Sequence, residues 1–282
     1  MLIAGIIIGV LVLWFLYGYL SHYHLVTTSY TLPTEAKTED HTFVLLSDLH
    51  CCSHGKENQK LLNRIRELNP DFILIAGDMV TKYLSVKDEK VQRVLRFLKT
   101  LCREFSVYYA PGNHEIRLKD YPGYISELSH IGIRYVRNQE MFFPDEGIRL
   151  YGLDLPIEWY RSRSELTAEE VGEYLHKKKA DPTVKNILLA HDPRYFKAYA
   201  GWGADLTVSG HLHGGVMRLP FVGGVLSPYL RLFPKYSGGM YERDGKRMVV
   251  SRGLGSHHLK FRWFNPPEIV VIRLRYSDTN NR

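Results

Sequence analysis

The sequence predicts a layered α/β domain built on a mixed central sheet, and three features of the pattern carry that reading. From residue 42 onward, short apolar runs alternate with stretches of helical periodicity. Towards the C-terminus the apolar runs follow one another with little helix between them. Asp, Asn and His gather where the runs stop. Alternation of strand and helix favours helices covering a largely parallel sheet, and later strands without helices make the sheet mixed. Ligands in such sheets collect where strands end and loops begin.

Taken in order, residues 43–50 (FVLLSDLH) read as a strand running into Asp and His. Residues 57–68 place Leu61, Leu62, Ile65 and Leu68 at helical spacing, and Pro70 follows the stop. Residues 71–78 (DFILIAGD) are the next strand. Residues 86–103 form a helix with Val91, Val94, Leu95 and Leu98 on one face. Residues 106–115 (SVYYAPGNHE) are a strand into a glycine-containing turn, 121–131 a helix and 147–154 a strand. A helix is expected over 167–179, opened by Thr167 and Glu170 as a capping box. Late strands are expected within 186–193, 204–215, 247–255 and 269–274.

The chain has 282 residues, 45% of them hydrophobic and 24% charged, which excludes global disorder and allows one large domain. The net charge of +7 suits an anionic partner: a phosphorylated substrate, lipid head groups or nucleic acid. The cysteines Cys51, Cys52 and Cys102 form no CxxC pair, so neither a disulfide framework nor a thiolate zinc site is expected.

Residues 1–20 (MLIAGIIIGVLVLWFLYGYL) carry no charged side chain. Twenty residues at ~1.5 Å rise match a ~30 Å hydrocarbon core, and Trp14, Tyr17 and Tyr19 lie where an aromatic belt would sit. A transmembrane anchor is expected. The rival is a cleaved signal peptide, which lacks support from a basic n-region or a clear cleavage site. Neither flank is rich in Lys or Arg, so the membrane side stays open. Residues 21–41 read as a tether and entering strand, and 277–282 as a disordered tail.

The chemistry-bearing residues are Asp48, His50, Asp78, Asn113, His114, His191, His211 and His213, at the mouths of successive apolar runs. Carboxylate, amide oxygen and imidazole without thiolate suit Mn²⁺, Fe or Zn²⁺. The set is too large for one tetrahedral ion and fits two. A shared carboxylate can bridge ions ~3.5–4 Å apart, an arrangement that activates a hydroxide nucleophile and clamps phosphoryl oxygens. In His211-x-His213 both imidazoles fall on one side of an extended segment.

The series Asp48-x-His50, Gly77-Asp78, Gly112-Asn113-His114-Glu115, His191 and Gly210-His211-x-His213 resembles the calcineurin-like metallophosphoesterases. The resemblance implies a four-layer α/β/β/α sandwich over 42–276, preceded here by one N-terminal transmembrane helix. It implies that Asp48, His50 and His213 hold one metal, that Asn113, His191 and His211 hold the other, and that Asp78 bridges. His114 would contact the phosphate and assist the leaving group. Two divalent ions are implied, Mn²⁺ first, with Fe or Zn²⁺ as alternatives. The segment GDMVTKY departs from the phosphoprotein phosphatases, because the second Asp, which would orient the histidine, and the Arg are missing. The blocks HLHGGVMRLP, GGMYERDG, VSRGLG and FNPPEIVVIRL are similar to the membrane-anchored bacterial branch related to UDP-2,3-diacylglucosamine pyrophosphatases.

The expected function is therefore metal-dependent hydrolysis of a phosphodiester or pyrophosphate bond in a phosphate-ester substrate, lipid-linked in the sharper form. Residues 216–236 are apolar and interrupted by Gly and Pro, with Arg218 and Arg231 as candidate substrate contacts. His257, His258, Lys260, Arg262 and Trp263 form a second polar and aromatic cluster. A general phosphodiesterase, a nuclease of the same fold and a non-catalytic scaffold are the alternatives. No basic aromatic groove is evident, so nucleic acid is not the expected partner. The sequence is silent on oligomeric state.

Overall fold

The computed structural model describes residues 2–34, 40–143, 147–215, 217–219, 221–227, 232–256 and 261–276. Helix α1 (Leu2–His22) leads into strands β1 (Val26–Thr34) and β2 (His41–Leu46). Next come α2 (Gln59–Leu68), β3 (Phe72–Ala76), α3 (Glu89–Glu104), β4 (Ser106–Ala110), α4 (Tyr121–His130) and β5 (Arg134–Tyr135). The second half holds β6 (Gln139–Phe143), β7 (Ile148–Leu153), α5 (Ile157–Arg161), α6 (Ala168–Tyr174), β8 (Lys185–Ala190), α7 (Phe196–Trp202) and β9 (Leu206–Ser209). A small ribbon of β10 (Arg218–Leu219) and β11 (Gly223–Gly224) precedes β12 (Gly239–Arg243), β13 (Lys246–Val250) and β14 (Glu268–Tyr276).

The strands form two six-stranded sheets, ordered β1-β14-β2-β3-β4-β5 and β12-β13-β9-β8-β7-β6. Strands β2 to β5 run parallel in the first sheet, and β7, β8, β9 and β13 run parallel in the second. Antiparallel partners are β14 against β2, β6 against β7 and β12 against β13. Both sheets are thus mixed.

The layers follow from the two-residue alternation of strand side chains. On β2, Val44 and Leu46 turn towards Leu61 and Ile65 of α2 and Val94 and Leu98 of α3. Phe43 and Leu45 turn the other way and share a core with Ile187, Leu189, Leu206 and Val208 of the second sheet. Leu188 and Ala190 of β8 face outward against Val171, Tyr199 and Trp202 of α6 and α7. Helix, sheet, sheet, helix is the four-layer sandwich that the family resemblance implies. Each buried side chain of Leu size contributes about 1.5–3 kcal/mol to holding the layers together.

Several boundaries differ from the periodicity. The capping box of Thr167 and Glu170 forms, but α6 ends at Tyr174 rather than near 179. The Lys177 N–H folds back onto the Gly172 carbonyl at 2.9 Å, which closes the helix early. Helix α7 and strands β6 and β12 had no counterpart in the periodicity. Within the stretch read as tether and entering strand, β1 pairs in parallel with β14 as the edge strand, where Pro33 is tolerated. Helix α1 is long and apolar enough to cross a membrane, and of its residues only Gly18, Ser21 and His22 are buried. Residues 277–282, Arg231, His257, His258 and Lys260 lie outside the described residues.

Candidate metal centre

The eight residues read from the sequence converge at one end of the two sheets. Asp48 and His50 follow β2, Asp78 follows β3, and Asn113 and His114 follow β4. His191 follows β8, and His211 and His213 follow β9. All eight are buried. The chain turns abruptly there: Asp48, His50, Asp78, His211 and His213 have φ of 52°, 46°, 54°, 75° and 52°. Left-handed backbone costs a non-glycine residue of order 1 kcal/mol, so the surrounding bonds must hold it.

Those bonds are visible. The Asp48 carboxylate accepts the His211 N–H at 3.1 and 3.0 Å, which ties the first sheet to the second. Asp78 Oδ1 accepts the His114 N–H at 2.8 Å. The buried Glu115 carboxylate accepts the N–H groups of Asp78 and Gly112 at 2.8 and 2.9 Å and the Tyr109 hydroxyl at 2.6 Å. Two glycines make the close approach possible. A Cβ at Gly112 would lie 2.3 Å from Asp78 Oδ1, and one at Gly210 would lie 2.3 Å from Asp48 Oδ2.

Three overlapping groups of donors lie close enough to share an ion: Asp48, His50 and His213; His50, Asp78 and His114; Asp78, His191 and His211. His50 Nε2 and His213 Nε2 are 3.0 Å apart, and His213 Nε2 is 3.5 Å from Asp48 Oδ1. His191 Nε2 is 3.1 Å from both Asp78 Oδ2 and His211 Nδ1. His191 Nδ1 faces the Ala76 carbonyl at 2.6 Å and His213 Nδ1 faces Gly255 O at 3.3 Å. Donation to those carbonyls leaves each Nε2 lone pair aimed inward, as metal-ligating imidazoles require. Asn113 Oδ1 is buried with no hydrogen-bond partner among the described residues. A buried amide oxygen left bare is costly, and a cation would satisfy it. The donor set therefore fits divalent metal.

The electrostatics point the same way. Burial pushes Asp48 up to about 6. Burial also acts to raise Asp78, but His191, His114 and His50 outweigh it and hold that carboxyl well below its usual range. Burial opposes charge on His191, yet Asp78 beside it lifts the imidazole to about 10. Burial drives its neighbour His211 down to about 3. The carboxylates that favour a proton on His191 Nε2 would equally favour a cation in its place. Burial lowers His114 as well, so its ring is neutral at physiological pH.

Some residues that support the site were not given that role by the sequence. Arg262 is buried, and its guanidinium donates to the carbonyls of His213, Gly253, Gly255 and Arg252. Asn265 Nδ2 donates to His213 O at 2.7 Å. The Lys82 N–H donates to His114 Nδ1 at 3.0 Å, which leaves the ring proton on Nε2, 4.0 Å from Asp78 Oδ2. No residue-type motif marks these roles, because the groups held are mostly main-chain atoms. Arg218 stands apart from the donor groups, with its guanidinium on the carbonyls of Gly214 and Gly238 and on the Ser237 hydroxyl. A cavity of about 680 Å³ opens beside Leu212, lined also by Tyr160, Arg161, Arg163, Phe233 and Lys235.

Paired sheets with histidines and carboxylates at their shared end define a metal-dependent phosphoesterase. The family profile of the calcineurin-like phosphoesterases matches residues 41–215, and the chain belongs to that family. It is 30% identical to an uncharacterized metallophosphoesterase of Aquifex aeolicus (strain VF5), over 92% of this chain and 95% of that protein. It is 26% identical to the UDP-2,3-diacylglucosamine pyrophosphatase LpxG of Chlamydia muridarum, over 83% of each chain. It is 25% identical to the phosphodiesterase YaeI of Escherichia coli (strain K12), over 74% of this chain and 72% of that one.

Proposed function

We propose that the chain is a membrane-anchored dimetal hydrolase that cleaves a phosphodiester or pyrophosphate bond in a lipid-linked substrate. The observation that carries the metal assignment is the position of Asp78, which belongs to two of the three donor groups and touches both histidine clusters. Asp48, His50 and His213 hold one ion, Asn113, His191 and His211 hold the other, and Asp78 lies between them. Bound ions supply Lewis-acid charge and an activated water there, with Mn²⁺ the first choice and Fe or Zn²⁺ compatible with the same donors. The neutral His114 ring would donate a hydrogen bond from Nε2–H to the phosphoryl group and stabilise charge developing on the departing oxygen.

The lipid-linked part of the reading is supported by three features. Helix α1 has the length and composition of a span. The cavity beside Leu212 sets the cations Arg161, Arg163 and Lys235 against exposed Leu232 and Phe233, a lining that fits an anionic head group carrying an apolar chain. The relative from Chlamydia muridarum is named for a nucleotide–lipid pyrophosphate. The catalytic unit is taken as residues 42–276, with 1–20 as the anchor.

The similarity to YaeI favours a second reading, a general phosphodiesterase without lipid preference. A turnover screen with Mn²⁺ separates the two. It compares aryl phosphodiesters, nucleotide pyrophosphates and lipid-linked nucleotide sugars. Highest kcat/KM on the lipid-linked pyrophosphate is the expected result. Equal rates on all diesters would favour the second reading, and activity on monoesters alone would overturn both.

A further inference from the structure

Helix α1 is fastened to the catalytic domain through residues that follow the metal centre in the chain. The Trp263 indole N–H donates to the Trp14 carbonyl at 2.9 Å, and the Arg262 N–H donates to the Gly18 carbonyl at 2.9 Å. The Trp14 and Trp263 rings stack at 6.1 Å, and Phe264 meets Trp14 and Tyr17 at 5.9 and 5.1 Å. Glycine is required at position 18, where a Cβ would lie 2.5 Å from Trp263 Nε1. At the last residue of the helix, His22 Nδ1 and Ser256 Oγ are 3.0 Å apart. The helix is a docked element rather than a flag on a string.

Length then fixes where the domain sits. The part of α1 ahead of Trp14 rises only about 18 Å at ~1.5 Å per residue. A hydrocarbon core is about 30 Å thick, so the segment from Trp14 to Leu20 is needed to complete a span. That segment carries Phe261, Trp263 and Phe264 along its side. They must therefore lie at the depth of the membrane boundary. Phe264 borders a second concavity with Arg218, Leu219, Phe221 and Val222. Phe221 is fully exposed at 110% and Val222 is 56% exposed, an apolar tip left uncovered by the described residues. Contiguous exposed apolar surface of this kind marks an interaction site, and aromatic rings are enriched at membrane boundaries.

We infer that the metal-bearing end of the domain is seated in the lipid surface by a collar of Phe261, Trp263, Phe264, Leu219, Phe221 and Val222. Topology gives the orientation. β1 and β14 begin at the end of the sheets where β2 and β9 stop, beside Asp48 and His211, and α1 enters at that end. The opposite end, where β13 starts after Asp244, faces water. A lipid phosphate in the head-group layer then meets the metals without leaving the bilayer. The inference rests on the anchor reading of α1, and its test keeps the two apart.

Val10→Cys, Phe221→Cys and Asp244→Cys are introduced one at a time into the full chain and labelled with an environment-sensitive fluorophore, and labelling of the native Cys51, Cys52 and Cys102 is subtracted using the unsubstituted chain. All three positions are exposed, so the labels need not disturb the core. The proteins are reconstituted into phosphatidylcholine vesicles with and without doxyl-labelled lipid. Strong quenching at Val10 and Phe221, several-fold above Asp244, is the expected result. Quenching at Val10 alone would overturn the collar and leave the anchor standing. A blue-shifted but unquenched Phe221 label would mean a protein partner, or a second copy, covers the tip and would also overturn it. Quenching at none of the three would remove the anchor as well.

Discussion

At the scale of single residues, His114 shows a main-chain group doing what a side chain does in related enzymes. The segment GDMVTKY lacks the aspartate that orients the corresponding histidine in phosphoprotein phosphatases, and the Lys82 N–H takes Nδ1 instead. Neutral by burial and held in one tautomer, the ring carries its proton on Nε2, the atom assigned above to the proposed substrate contact. His114→Ala is expected to lower kcat by about 10²–10⁴-fold. Metal content measured by elemental analysis should stay unchanged, because the ring is not needed to fill either proposed ion site. Unaltered turnover would remove the role. The eight site residues were legible because each is a distinctive type placed next to an apolar run. The proposal that Asp78 is the shared residue came only through the family resemblance.

At the scale of elements, the decisive unit is the loop after β9. Its histidines come from a short motif, but its shape is set from residues far along the chain. Arg262 and Asn265 hold the His213 carbonyl, and Arg262 also gathers Gly253 and Gly255. The sequence placed Arg262 in a polar and aromatic cluster, because a buried guanidinium serving carbonyls has no signature in residue type. Arg262→Met should weaken metal affinity by about 10–100-fold, the range found when supporting groups are lost. Chelator competition measures it, and an unchanged affinity would show the loop to be self-supporting. Long periodic helices and central strands were legible for the same reason that they are stable: one face is continuously apolar. Strands β6 and β12 are half-exposed edge strands, and α7 is a short aromatic helix, so none of them carries a clean period.

At the scale of the whole molecule, the four layers bring strand ends from two sheets to one place, and no single strand could assemble that site. Fold class and the pairing of layers were legible once the order of motifs was recognised. The docking of α1 was not, because hydropathy reports that a segment is apolar and nothing about what it leans against. The same end of the molecule holds the candidate metal ligands, the docked helix and the apolar tip, which ties the proposed substrate to the proposed anchor. The central claim is a pair of ions sharing Asp78. Its most direct test is the ion count per chain after Mn²⁺ loading, for the wild type and Asp78→Asn, with diester turnover measured on the same samples. Two ions in the wild type, with ion loss and collapse of turnover in Asp78→Asn, is the predicted result. One ion in the wild type, or an Asp78→Asn protein with full metal content and full turnover, would contradict it.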